Sequence, residues 1–153
     1  MSFGLAAYRR FTMCIQSQFL PHGKYSLQIQ NGIILIKARG AWNLEGKMSL
    51  MDELFSSIKL TNQKYFSMLV DVSEFELGTP DFQALGVIEK TKLIEIGLRK
   101  TAYVNSVKRT SHIQQIANMQ PHSSKYQWRI FNSYYAAQRW LADESLNNLF
   151  KLS

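Results

Sequence analysis

Ser67-Met-Leu-Val-Asp-Val72, then Ser73-Glu-Phe-Glu-Leu-Gly78, then Thr79-Pro-Asp-Phe-Gln-Ala-Leu-Gly-Val-Ile-Glu-Lys90 form one continuous stretch that runs on to Gly97. Its first segment is an uninterrupted apolar run ending at Asp71, the pattern of a strand buried on both faces. Gly78 breaks the chain. Thr79 suits a helix N-cap, Pro80 suits the first helical turn, and Asp81 suits the positive end of the helix dipole. The stretch therefore predicts strand, loop and helix, with the loop opening at the carboxyl end of a central strand. In open α/β sheets, ligands and partners dock at that end.

Upstream, Tyr25-Ser-Leu-Gln-Ile-Gln30 alternates apolar and polar residues, and Asn31-Gly32 is a strong hairpin turn before Ile33-Ile-Leu-Ile-Lys-Ala-Arg39. Asn43 can cap a helix in which Leu44, Met48, Met51, Phe55 and Ile58 make one apolar stripe. Downstream, Gly97 suits the end of the helix that begins at Pro80. Arg99-Lys100 then precedes a short strand, Thr101-Ala-Tyr-Val104. Thr110 or Ser111 can cap a third helix carrying Ile113, Ile116 and Ala117 inward. Gln127-Trp-Arg-Ile-Phe131 is a last strand, and Ser133 caps a last helix with Ala137, Trp140 and Leu141 facing in. The order β-β-α-β-α-β-α-β-α predicts an α/β fold. It is a mixed β-sheet, with an N-terminal antiparallel hairpin and then βαβαβα, flanked by about four helices.

The length of 153 residues suits one domain, expected over residues 22–142, with a peripheral N-terminal extension at 1–21 and a tail at 143–153. No apolar run approaches the roughly 18–20 residues that span a bilayer, so a soluble, non-transmembrane, cytoplasmic protein is expected. A single cysteine, Cys14, excludes an internal disulfide and argues against a cysteine metal cluster. His22, His112 and His122 are scattered without ligand spacing, so no metal or other cofactor is expected. A glycine-rich phosphate loop and a nucleophile elbow are both missing. The net charge of +7 is uneven, and residues 96–142 hold seven basic residues and no acidic one. Two readings follow: a solvated surface, or a basic face for an acidic partner. The aromatic residues do not interleave with these charges, so nucleic acid is not expected.

Several phrases, in this order and spacing, carry a resemblance over residues 25–142. They are Gly40-Ala-Trp-Asn43, Leu69-Val-Asp71 before Glu76-Leu-Gly-Thr-Pro-Asp81, Gly97-Leu98 before Ala102-Tyr-Val104, and Phe131-Asn-Ser133 before Ala136-Ala137 and Trp140-Leu141. Together they resemble the SpoIIAA-like family, whose STAS-type fold is related to anti-sigma-factor antagonists and to Sec14-like lipid-binding domains. The resemblance implies a small mixed sheet flanked by helices, in a bacterial regulatory protein. In anti-sigma-factor antagonists, a serine at the start of the second helix is phosphorylated by the partner kinase. The corresponding positions here read Thr79-Pro80-Asp81, without the Asp-Ser-Ser-Gly pattern, and Asp81 puts a negative charge where the phosphate would sit. The implication is a fixed interaction surface, with Thr79 acting as a cap.

The expected function is a non-enzymatic regulatory or protein-interaction module that docks through the Gly78–Asp81 loop and the adjacent helix. The interaction residues are Asp71, Gly78, Thr79, Pro80 and Asp81, with Lys108 and Arg109 as a positive rim beside Thr79. Asp71 is read as shaping the loop that presents Thr79. The alternative is a carrier or sensor of a lipid or other apolar small molecule, with Met48, Met51 and Phe55 lining the pocket. Partners expected are a protein, a second copy paired along the first strand, and an anionic or apolar small ligand.

Overall fold

The computed structural model describes residues 20–107 and 110–143. Its elements are β1 (Lys24–Gln30), β2 (Ile33–Trp42), α1 (Leu44–Thr61), β3 (Phe66–Gly78), α2 (Pro80–Ile96), β4 (Leu98–Val104), α3 (Thr110–Asn118), β5 (Gln127–Phe131) and α4 (Tyr134–Leu141). The five strands form one sheet in the order β1-β2-β3-β4-β5. β1 and β2 are antiparallel, joined through Asn31 and Gly32, both at positive φ. All other neighbours are parallel. This is the mixed sheet that the order of elements predicts, and no described helix is long and apolar enough to cross a membrane.

Local chemistry sets the boundaries. Asn43 accepts from the Gly46 N–H at 2.9 Å and caps α1, while its side chain also binds the His22 N–H at 2.8 Å and the Leu20 carbonyl at 2.9 Å. The cap thus ties residues 20–22 across the start of α1. A Cβ at Gly46 would come within 1.9 Å of the His22 carbonyl oxygen, so only glycine lets that segment lie so close. Gly97 ends α2 at φ 130°, against the Lys64 carbonyl, and Ser133 caps α4 through the Ala136 N–H.

The sheet separates two apolar layers. Under α1, α2 and α3 lies the larger, with Ile34, Ile36, Met68, Val72, Phe75, Phe82, Leu93 and Ile116 buried. Under α4 lies a small one of Leu69, Ala102, Val104, Ala137 and Leu141.

The structure differs from the sequence reading in four places. β3 does not end at Asp71: it runs on to Gly78, paired with Arg39–Trp42 through register shifts. Those bulges bend both strands and keep the ladder satisfied through a polar stretch that looks like a loop. The buried stripe of α1 is Lys47, Leu50, Leu54 and Ile58, leaving Met48, Met51 and Phe55 half-buried. On α3, His112 and Ile116 are buried, while Ile113 is exposed. Arg99 and Lys100 lie inside β4, and Lys100 is wholly buried.

Candidate functional site

The carboxyl end of β3 is built by close contacts from three directions. The Thr79 N–H donates to the Trp42 carbonyl at 3.1 Å. The Gln115 amide clasps Gly78 at both backbone groups, accepting from its N–H at 2.9 Å and donating to its carbonyl at 3.0 Å. His112 Nε2 donates to the Glu76 carbonyl at 2.7 Å. Phe82 anchors the first turn of α2 between Trp42 and Phe75, with ring centroids 5.9 and 5.7 Å apart. Thr79 is the N-cap of α2, accepting from the Phe82 N–H, and its hydroxyl donates to Asp81. Thr79, Pro80 and Asp81 are all exposed on this fixed backbone. Large apolar side chains are exposed on two of these elements, Leu77 on β3 and Ile113 on α3, and Val107 is exposed after β4.

Asp71 is not part of this rim. It lies seven residues before Gly78 on the same strand, roughly 20 Å away at strand rise. Its carboxylate accepts from the Ser73 N–H at 2.9 Å and from the Tyr134 hydroxyl of α4 at 2.7 Å. Burial alone would raise the Asp71 pKa. The hydrogen bonds from Tyr134 and Ser73, with the Lys37 charge, outweigh burial and set it below the ordinary 3.8. The continued β3 is what separates Asp71 from Thr79, so Asp71 joins the sheet to α4 and does not shape the Thr79 loop. Lys108 and Arg109 lie outside the described residues. Lys100, which sequence reading counts among the surface charges, donates to the carbonyls of Trp140, Leu141 and Asp143 and closes the end of α4.

A second feature lies beneath α1, α2 and α3. A cavity of about 70 Å³ sits between these helices and the sheet, walled by apolar side chains such as Ile36, Met68, Val70 and Met119. Lys47 and Glu89 face it as an ion pair at 2.7 Å, both nearly buried. Beside them Lys90 donates to the Tyr103 hydroxyl at 3.0 Å, and a chain continues through Gln120 to Tyr126. Met48, Met51 and Phe55 do not line this cavity. Sequence reading misses Lys47, Glu89 and Lys90, though a signal was present. The apolar positions Phe82, Gly86, Leu93 and Ile94 set the inward phase of α2, and Glu89 and Lys90 fall on it. Lys47 likewise opens the series Leu50, Leu54, Ile58.

No family model matches the chain, and no curated protein matches it. Solved structures do. An uncharacterised protein from the DUF3478 family, with a SpoIIAA-like fold, from Shewanella loihica PV-4, aligns with TM-score 0.56 at 16% identity, covering 83% of this chain and 99% of its own. An anti-sigma factor antagonist from Mycobacterium paratuberculosis aligns with TM-score 0.52 at 12% identity, covering 80% of this chain and 96% of its own. The chain has a SpoIIAA-like fold.

Proposed function

We propose that the chain is a non-enzymatic regulatory module that docks a partner protein through Gly78–Asp81 and the first turns of α2. The observation that carries this is the rim itself. Thr79, Pro80 and Asp81 are exposed on backbone clamped by Gln115 and Trp42, with Leu77 and Ile113 exposed beside them. A pre-formed surface with an apolar centre and polar edge loses little entropy on binding. The likeness to an anti-sigma factor antagonist supports a protein partner. In this reading Lys108 and Arg109, which follow β4 in the chain, favour an acidic partner, and the association weakens as salt rises. Self-association belongs to the same reading: among the described residues β1 is a sheet edge, which suits pairing with a second copy, and sedimentation at several concentrations measures it.

The alternative, carriage of a lipid, needs a pocket of about 300–1,000 Å³. The cavity beneath α1–α3 is about 70 Å³, which favours docking. The test compares the wild-type chain with Leu77→Asp/Ile113→Asp as baits in native-cell extract. The docking reading expects a partner held by the wild type and lost by the variant, at unchanged melting temperature. Equal retention by both would remove this rim from the mechanism.

A further inference from the structure

The cavity under α1, α2 and α3 holds more than an apolar void does. Two ammonium groups, Lys47 and Lys90, and one carboxylate, Glu89, face it, each with under a tenth of its surface exposed. The Lys47 ammonium is matched by Glu89 Oε1 at 2.7 Å. Among the described residues no carboxylate lies within ion-pair distance of Lys90, whose ammonium meets the Tyr103 hydroxyl and lies over its ring. Burial alone would lower the Lys90 pKa, but Tyr103, Tyr126 and Glu89 beside it outweigh burial and set it above the ordinary 10.5. Two ammonium groups against one carboxylate leave the cavity one positive charge in excess, a costly state for groups so far buried.

The hydrogen bonds point the same way. The Tyr103 oxygen accepts from both Lys90 and Gln120. Gln120 is oriented by its own donation to the Ile116 carbonyl, so its nitrogen, not its oxygen, faces Tyr103. The Tyr103 proton then meets no acceptor among the described residues. The Lys90 ammonium is also directed at the Tyr126 hydroxyl, and of its three donor hydrogens one remains beyond those aimed at Tyr103 and Tyr126. On the other side, Glu89 Oε2 is buried without a hydrogen-bond partner among the described residues. The site thus offers one Lys90 donor and the Tyr103 proton beside a positive charge, and, among the described residues, one unpartnered acceptor at Glu89, over a wall of Ile36, Met68 and Val70.

We infer that this cavity is a binding site for a small carboxylate of two or three carbons. Its carboxylate accepts from Lys90 and Tyr103, and its short apolar end lies against Met68 and Val70. A hydroxyl on the guest, where there is one, donates to Glu89 Oε2. Size sets the limit: one water occupies about 10–15 Å³ of such space, so about 70 Å³ takes roughly five heavy atoms. This inference is independent of the docking rim, which uses other residues.

Methyl-resolved NMR of the full chain, dialysed free of carboxylate buffers, tests it with propionate as the probe and propionamide as its neutral match. The expected result is saturable shifts at Met68, Met119 and Ile36 with propionate, and at least tenfold weaker binding of propionamide. Lys90→Met should abolish the propionate response, and Tyr103→Phe, which keeps the charge and removes one donor, should weaken it several-fold. Equal response to the two probes, or none at tens of millimolar, would overturn the inference and leave a water-filled cavity. The probe comparison uses wild-type protein alone, so it decides the matter even if Lys90→Met does not fold.

Discussion

Beneath α4, Lys100 has no exposed surface, and its ammonium reaches the carbonyls of Trp140, Leu141 and Asp143 at 3.1, 3.5 and 3.3 Å. Beneath α1–α3, Lys47 and Lys90 are buried too, but they face an ion partner, a tyrosine and a cavity. The first lysine is a fastener. It supplies donors to the last turn of a short helix, where carbonyls run short of backbone partners and a cation suits the dipole, although the Trp140 carbonyl also accepts from the Asp143 N–H at 3.2 Å. Its environment is fully matched, and burial lowers its pKa against the opposing charge of Asp143. The second pair is only partly matched, with Glu89 Oε2 left over. A short helix on a small apolar layer needs a polar clamp. Two long helices on a large layer do not, so charges retained there invite a role beyond holding the fold.

The largest expected effect lies at the partly matched pair. Glu89→Ala leaves two buried ammonium groups without a carboxylate, and should cost about 3–5 kcal/mol in urea unfolding. Replacing the pair together, Lys47→Met with Glu89→Leu, should recover most of that loss, because neither charge is then stranded. If the single and double variants are equally unstable, the pair is ordinary packing and the contrast between the two faces weakens. Lys100→Met comes next. It takes the ammonium from the Leu141 and Asp143 carbonyls and leaves the Trp140 carbonyl only the Asp143 N–H, and should cost about 1–3 kcal/mol. Amide exchange should quicken in α4 more than in α2. Uniform quickening would argue against a local fastener.

How much of this was legible is clearest from particular residues. Asn43, Thr79, Gly97 and Ser133 are caps, and capping is local chemistry, so the sequence shows them directly. The hairpin at Asn31-Gly32 is legible for the same reason. The run from Ser73 to Gly78 is not, because its pairing with Arg39–Trp42 depends on bulges that no local pattern announces. The buried charges were hidden by an ordinary assumption, that Lys and Glu mark the wet face of a helix. Extending the phase of the apolar positions through Lys47, Glu89 and Lys90 would have found them. Lys100 has no such signal: what buries it is α4, some forty residues further along the chain.

A smaller effect is expected at the rim. Thr79→Ala removes one of two side-chain acceptors for the Phe82 N–H, the other being Asp81 Oδ1 at 3.0 Å, and should cost about 0.5–2 kcal/mol, with Thr79→Ser nearly silent. Thermal unfolding of the two variants measures it. Stoichiometric phosphate on Thr79 in protein from its native cell would show the residue to be a modification site as well as a cap.

The smallest effect joins the two faces through Asp71. Tyr134 is an exposed residue, so Tyr134→Phe should cost only about 0.5 kcal/mol at neutral pH. Its pH dependence carries the sharper information. The folded-state pKa of Asp71 lies below 3.8, so the ionised carboxylate contributes stability that is present above 3.8 and lost as pH falls through the folded value. Without the Tyr134 hydrogen bond, the folded pKa moves back up towards 3.8, and less stability remains to be lost. Wild-type stability should therefore fall more steeply than that of Tyr134→Phe through the acid range, and the two curves should converge once Asp71 is protonated in both states. Denaturant titrations at a series of acidic pH values follow this directly. Parallel curves would mean that the Ser73 amide and the Lys37 charge hold Asp71 alone, and that α4 is fastened to the sheet by Lys100 and its apolar layer without help from this carboxylate.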